Sequence, residues 1–282
     1  IYGVTFFIIL INILITEIII DRRNYFNPAI LIVIVLLVIT YSYTRKNQIE
    51  SQLSRSPASD IVRVTAIQGN FSTHERWDAS VSQFQYSTYT SLSQKKFSET
   101  DIIIWPETVL NSADTVNLQI IKTVSNQLSP GQLFITGATR SESNDQYFNS
   151  VFITAITGII DIYDKIILFP YSERSYSGLS AGRFLNAPEK FQRGRKQKII
   201  DTTRGNIGIT ICFESIYPDF VRNLKVRNAD FITNIANDSW FGDSSVPHLQ
   251  QYAIIARAIE NRISIIRSAN SGISFAVSPA GE

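Results

Sequence analysis

Gly205-Asn206-Ile207-Gly208-Ile209-Thr210-Ile211-Cys212-Phe213-Glu214 is an apolar, β-branched run that stops at the only cysteine of the chain. Branched side chains favour a pleated strand, and Arg204-Gly205-Asn206 before it reads as a hairpin turn. A strand ending abruptly in Cys-aromatic-Glu presents a thiol at a sharp turn, with backbone N–H groups close by. Similar runs occur on both sides. Strands are expected at 61–68, 101–105, 133–136, 151–155, 159–163, 206–212, 231–235, 264–268 and 273–277. Helices are expected at 79–96, 117–127, 218–227 and 249–261; in the last, Tyr252, Ile255, Ala256 and Ile259 share one face. Thr157-Gly158 reads as a second hairpin turn. Hairpins mixed with crossovers imply a layered α/β domain with mixed sheets.

The start of the chain differs. Residues 1–20 are almost wholly apolar, interrupted by Asn12, Thr16 and Glu17. As a helix they extend about 30 Å, enough to cross a bilayer core. Asp21-Arg22-Arg23-Asn24 follows, then a second apolar run, 26–43, ending in the interface-suited Tyr41 and Tyr43. We therefore expect two transmembrane helices over 1–45, a Ser-rich linker with Pro57 over 46–60, and an α/β domain over 61–282. A buried helical hairpin is the alternative for 1–45. A signal peptide fits poorly, because there is no basic leading region and no small-residue cleavage site. Glu17 is read as a residue facing water or a neighbouring helix. Arg22 and Arg23 favour a cytoplasmic inter-helix loop, although Arg45 and Lys46 beyond the second helix oppose that bias. The chain opens on Ile1 and contains no methionine, so more sequence is expected upstream. It stops at the turn-like Pro279-Ala280-Gly281-Glu282, which would normally lead into another strand.

The formal net charge of the 282 residues is only +2, which gives no electrostatic reason to expect nucleic-acid binding. One cysteine cannot form an internal disulfide, and two histidines with one cysteine make a structural zinc site improbable. No metal or cofactor is expected.

A thiol with its ordinary pKa is mostly protonated at neutral pH, so a nucleophilic cysteine needs a base or a nearby cation. His74 lies in a polar loop and His248 at a helix start; neither forms a Cys–His signature. Ile104-Trp105-Pro106-Glu107 and Tyr163-Asp164-Lys165 each place an ionisable residue at or just beyond a strand. A buried glutamate can take the thiol proton. A lysine ammonium can favour thiolate and stabilise an oxyanion. Each residue alone also has a plain structural reading. Cys212 could be an inert core residue, Glu107 a helix N-terminal acid, and Lys165 a solvated loop charge. The three segments would have to be unrelated for all of these to hold together.

The ordered segments resemble the nitrilase superfamily and, within it, the apolipoprotein N-acyltransferase branch. The resemblance runs from about Val62 to the end of the chain. Ile67-Gln68-Gly69-Asn70 with Trp77-Asp78 is similar to the first strand and its loop. Phe169-Pro170-Tyr171-Ser172-Glu173 occupies the place of a segment whose glutamate is a second essential acid. Asn237-Asp238-Ser239-Trp240-Phe241-Gly242, Arg257-Ala258-Ile259-Glu260 and Arg267-Ser268-Ala269-Asn270-Ser271-Gly272-Ile273 also look like the family. Membrane helices upstream are what this branch has and soluble amidases lack. Departures are Phe213, where the branch usually carries Tyr, Ser172 for a Gly and Tyr171 for a Phe.

The resemblance implies a nitrilase-like αββα sandwich with mixed sheets, preceded by transmembrane α-helices. It implies Glu107, Lys165 and Cys212 as catalytic residues, supported by Glu173 and Glu214. Trp77, Phe213 and Trp240 are expected to contact substrate; ordinary core packing is the other reading of the tryptophans. The implied acyl donor is a phospholipid, with phosphatidylethanolamine expected, and the acceptor a diacylglyceryl lipoprotein. The implied place is the bacterial cytoplasmic (inner) membrane, with the catalytic domain on its outer, periplasmic face. Residues 174–190 form a long irregular stretch, read either as a lid whose Phe184 and Leu185 dip into lipid or as a solvated loop. Lys190, Arg193, Arg195, Lys196 and Lys198 could meet phosphate headgroups. Two other functions compete: a membrane-tethered nitrilase-type amidase or carbamoylase acting on a small amide, and a non-catalytic lipoprotein-binding member. Ammonia release would mark the first, and failure to trap a thioester on Cys212 the second.

Overall fold

The computed structural model describes residues 2–20, 26–57, 61–72, 75, 81–111, 114–142, 146–170, 173 and 191–282. The chain divides into two compact units, Ile1–Ser59 and Asp60–Glu282.

The first unit is helical. Helix α1 spans Tyr2–Ile20 and α2 spans Phe26–Ser54. Ile8, Ile9, Ile13, Ile19, Leu36, Leu37 and Ile39 are all exposed. Both are long and apolar enough to cross a membrane. Two hydroxyls bond back along the helix: Thr16 donates to the Asn12 carbonyl at 2.8 Å and Thr44 to that of Thr40 at 2.9 Å. The stretch expected as a linker from residue 46 is helical as far as Ser54. Arg45, Lys46, Gln48 and Glu50 are good helix formers, and Lys46 pairs with Glu50 one turn on at 3.3 Å. Their polarity, rather than any helix breaker, had marked them as linker. Arg22 and Arg23, on which the orientation reading rests, lie outside the described residues.

The second unit holds two five-stranded sheets. In the first, β1 (Val64–Ala66), β2 (Ile102–Ile104) and the start of β3 (Leu133–Glu142) run parallel; β4 (Gln146–Ala155) and β5 (Gly158–Asp164) continue antiparallel. In the second, β7 (Ile207–Ile211), β8 (Phe231–Ala236) and β9 (Ser264–Ala269) run parallel. They are flanked by antiparallel β6 (Ile199–Ile200) and β10 (Phe275–Val277). The central strands are buried on both faces, which is why they read as continuous Ile runs. Both expected hairpins are present, β4–β5 and β6–β7. Strands β3 and β4 extend well past 136 and before 151, because their outer register pairs polar residues, Thr139 with Asn149 and Ser141 with Tyr147.

Helices α3 (Ser82–Gln94) and α4 (Asp114–Ser125) cover the outer face of the first sheet. Tyr86, Tyr89, Ile121 and Val124 pack there on Ile103, Trp105, Phe134 and Phe152. Alternate residues of the same strands, Ile102, Ile104, Ile135 and Ile153, join Ile207, Ile209 and Ile211 in the core between the sheets. On the far side lie α5 (Pro218–Val226) and α6 (Val246–Asn261), with Val221, Leu224, Ile254 and Ala258 buried. The layers are therefore αββα with mixed sheets. The Ser268 hydroxyl stitches the sheets, 3.2 and 3.3 Å from the carbonyls of Ile67 and Ile104.

Candidate active site

Glu107, Lys165 and Cys212 each follow a strand end. Glu107 stands three residues after β2 and is 5% exposed. Its backbone turn lies against β3 at Gly137, whose N–H donates to the Pro106 carbonyl at 3.1 Å. A Cβ at Gly137 would come within 2.5 Å of the Pro106 oxygen and the Thr108 nitrogen. Only glycine permits that approach.

Lys165 follows β5 and is 1% exposed. Its N–H donates to the Asn149 carbonyl at 2.9 Å, continuing the β4–β5 ladder one residue further. Asp164 beside it is fixed by Arg140 at 2.9 Å and by the Ser150 hydroxyl at 2.6 Å. The lysine is thus delivered by a braced strand end, with its ammonium between two carboxylates. Nζ lies 3.0 Å from Glu107 Oε1 and 2.8 Å from Glu173 Oε2. Asn149 bridges the same two acids, donating from Nδ2 to Glu107 at 2.7 Å and to Glu173 at 2.6 Å. Glu173 Oε2 also accepts the Phe169 N–H at 2.8 Å.

Cys212 opens a short 3-10 turn, Cys212–Ile216, and is buried. Its φ of 50° is left-handed, a strained conformation for a residue with a side chain. Glu214 holds this turn to the lysine segment. Oε1 accepts the N–H groups of Ile166 and Ile167 at 2.6 and 3.0 Å, Oε2 accepts that of Ile211 at 2.8 Å, and the Tyr163 hydroxyl donates at 2.8 Å. Glu214 is a brace joining Lys165 to Cys212, built into the interior.

Burial disfavours the Lys165 ammonium, but Glu107, Glu173 and Cys212 outweigh it and hold its pKa above the usual lysine range. Burial, then the Glu107 charge, pushes the Cys212 thiol well up; Lys165 and Arg267 pull it down less strongly. A thiol so raised would need a base in order to act as a nucleophile. Burial raises Glu214 to about 7, against the amides of Ile211 and Ile167, the Lys165 charge and the Tyr163 hydroxyl.

Glu107, Lys165 and Glu173 touch, and Cys212 feels the charges of the first two. Phe213 packs edge-on against Phe169, with ring centroids 5.3 Å apart, and against Tyr217 at 5.4 Å. Phe241 completes this group, 5.8 Å from Phe169. Trp240, expected near substrate, is half-buried in the turn Ser239–Phe241, and its neighbour makes the ring contact. Trp77, Tyr171, Ser172 and the 174–190 stretch lie outside the described residues. Among residues that sequence reasoning missed, Asn149 is the clearest. Its signal was a polar pair, Asn149-Ser150, inside an otherwise buried strand.

The carbon-nitrogen hydrolase family model matches residues 63–282. The chain is 28% identical along its whole length to a protein of Geobacter metallireducens named apolipoprotein N-acyltransferase, and covers 56% of that protein. It is 34% identical to one of the same name from Allorhizobium ampelinum, over 64% of this chain and 36% of the relative. The chain thus spans about half or less of the curated relatives it matches. Among solved structures, a superfamily protein of Xanthomonas campestris with an arsenic adduct in its active site aligns with TM-score 0.59 at 19% identity. That alignment covers 78% of this chain and 84% of the other. An amidase of Nesterenkonia sp. AN1, in a variant whose active-site cysteine has added acrylamide, aligns with TM-score 0.59 at 15% identity, covering 79% and 87%. From its family match and its αββα fold, the chain belongs to the carbon-nitrogen hydrolase family, the nitrilase superfamily.

Proposed function

We propose that this chain is the catalytic part of a membrane-bound N-acyltransferase that moves an acyl chain from phospholipid to a lipoprotein. The observation that carries the reading is the buried ammonium of Lys165 held between Glu107 and Glu173 beside the left-handed Cys212 turn. The two apolar helices favour a membrane substrate over a small soluble amide. The naming of the curated relatives supports the same choice, and the cysteine adduct in the Nesterenkonia amidase supports thiol chemistry on this fold.

In the first half-reaction Glu107 takes the Cys212 proton as sulfur attacks the ester carbonyl of the donor, with phosphatidylethanolamine the expected phospholipid. Lys165 and backbone N–H groups stabilise the oxyanion. The C–O bond breaks, Glu107 returns the proton to the leaving oxygen, and lysophospholipid departs from a Cys212 thioester. In the second, the N-terminal amine of a diacylglyceryl lipoprotein attacks. A C–N bond forms, the C–S bond breaks, and Glu107 passes the amine proton to the sulfur. Glu173 keeps Lys165 in place. Glu214 aligns the nucleophile turn, and the Phe213 group offers an apolar surface to the acyl chain.

Mass spectrometry of the full-length protein incubated with phospholipid should find an acyl adduct on Cys212, absent from both Cys212→Ala and Cys212→Ser. An adduct that survives in Cys212→Ala would sink the thioester route, and ammonia release from small amides without lipid acylation would favour an amidase. The reading places the second unit on the outer face of the cytoplasmic membrane. Impermeant thiol reagents outside spheroplasts should then reach Cys212 slowly, and faster after detergent. Labelling only once the membrane is breached would put the domain in the cytoplasm.

A further inference from the structure

Behind the nucleophile turn lies a buried polar network that the proposed chemistry does not use. Thr210, Asn234 and Arg267 stand at the same level on three adjacent parallel strands, β7, β8 and β9. All three are fully or almost fully buried. Arg267 Nη1 donates to Asn234 Oδ1 at 2.6 Å. Its Nη2 donates to Asp238 Oδ1 at 2.7 Å, Asp238 Oδ2 at 3.0 Å and Gln250 Oε1 at 3.0 Å. Asn234 Nδ2 in turn donates to Thr210 Oγ1 at 3.0 Å and to the Cys212 carbonyl at 3.1 Å.

The chemistry of these groups fixes their direction. A guanidinium only donates, so the amide oxygen of Asn234 must face Arg267. The amide NH₂ must then face β7 and the Cys212 carbonyl. That carbonyl needs a donor. The left-handed φ of Cys212 takes the backbone out of the extended conformation just where the strand ends, and its oxygen is met by Asn234 and by the Ser215 hydroxyl at 3.0 Å. A strained nucleophile persists only where the surroundings over-determine it. An apolar strand would have served the core better than an Arg–Asp pair, whose burial is a weak source of stability.

We infer that Asn234, oriented by Arg267, is a positioning residue that pins the Cys212 carbonyl and so holds the thiol in its attacking orientation. This rests on the proposed role of Cys212 as nucleophile, but its test does not depend on acyl transfer. The decisive variant is Asn234→Asp. It is nearly isosteric and keeps an acceptor for Arg267, yet turns the donor facing Cys212 into an oxygen. The measurement is the rate of Cys212 alkylation by iodoacetamide against pH, on the full-length protein. Misplacing a reacting group by about 1 Å can cost roughly a hundred-fold, so a ten- to hundred-fold fall in plateau rate is expected. The rate should fall across the whole pH range, since the variant loses the donor to the Cys212 carbonyl. Val124→Ala, a cavity in α4 on the outer face of the first sheet, should lower stability yet leave the alkylation profile unchanged. Should Asn234→Asp not fold, Asn234→Ser, smaller and neutral, carries the same comparison of plateau rate. A wild-type alkylation profile in the folded variant overturns the inference, and so does an identical profile change in Val124→Ala. If the wild type forms no acyl adduct but Asn234→Asp still slows alkylation, the acyltransferase reading fails and the positioning role stands.

Discussion

Replacing Lys165 by Met tests the electrostatic core of the site through stability rather than activity. Methionine fills a similar volume without the charge. It would leave Glu107 and Glu173 buried, joined by Asn149 Nδ2 at 2.7 and 2.6 Å, with no cation between them. Removing one partner of a buried ion pair typically destabilises by about 3–5 kcal/mol. For a domain of this size that lowers the unfolding midpoint by roughly 6–20 °C. The loss should depend on pH. Two adjacent buried carboxylates cannot both ionise cheaply, so one pKa rises above its unfolded value. The folded variant then holds a proton that the unfolded chain releases, and its stability falls as pH rises from the ordinary carboxylate range toward that raised pKa. The wild type, with Lys165 between the acids, should decline less over this range, showing only the part that Glu214 contributes. Thermal unfolding of the full chain in detergent at pH 5 and pH 8 reads both effects. Adding Glu173→Gln to Lys165→Met should recover stability at pH 8 but little at pH 5. An unfolding midpoint equal to wild type at both pH values would refute the reasoning, because the carboxylates would then be solvated in the folded state.

Three further outcomes follow from the same geometry. Glu107→Gln should slow thioester formation by about 10²–10⁴-fold, the usual worth of a general base, and an unchanged single-turnover rate would remove Glu107 from that role. Glu214 is raised from 4.5 to about 7, equivalent to about 3 kcal/mol. Its contribution is greatest below about pH 4.5 and declines up to about pH 7, so Glu214→Gln should lack that decline and be flatter across the window in urea unfolding. Gly137→Ala should destabilise by about 1–3 kcal/mol, the usual cost of overpacking, and should slow acylation, since the added methyl meets backbone on the Glu107 turn. Wild-type acylation in that variant would show that the turn tolerates movement.

What could be read from the sequence is what is local. The Ile runs announced buried strands, and Cys212, Lys165 and Glu107 stood at their ends, so strand positions and candidate chemistry were visible together. Helix α6 begins three residues before its apolar periodicity, because Pro247 is tolerated in a first turn that makes no i−4 bond. What could not be read depends on register. Nothing within Phe231-Ile232-Thr233-Asn234-Ile235 says that Asn234 lies level with Thr210 and Arg267. Asn149 likewise becomes a bridge only when β4 places it opposite the Glu107 turn. Glu214 was legible only as a supporting acid; the structure shows its oxygens accepting the amides of Ile166, Ile167 and Ile211 and the Tyr163 hydroxyl. Its role as a brace follows from donors up to 51 residues away.

The two sheets contribute unequally to the candidate site, and this bears on how it would fail. Glu107 and Lys165 extend from strands of the first sheet, Cys212 from the second. The Glu107 carboxylate and the Cys212 sulfur are therefore held in relation by inter-sheet contacts: Glu214 reaching Tyr163, Ile166 and Ile167, and Ser268 lying between the carbonyls of Ile67 and Ile104. Interiors are close-packed and transmit displacement. Loosening these contacts moves sulfur relative to carboxylate before either sheet unfolds. The Arg267–Asn234 network ties Cys212 to its own sheet and, through Gln250, to α6. The site is thus fixed in two independent steps, the nucleophile to its sheet and that sheet to the acid–lysine cluster. Disturbing either step should lower reactivity while leaving secondary structure in place.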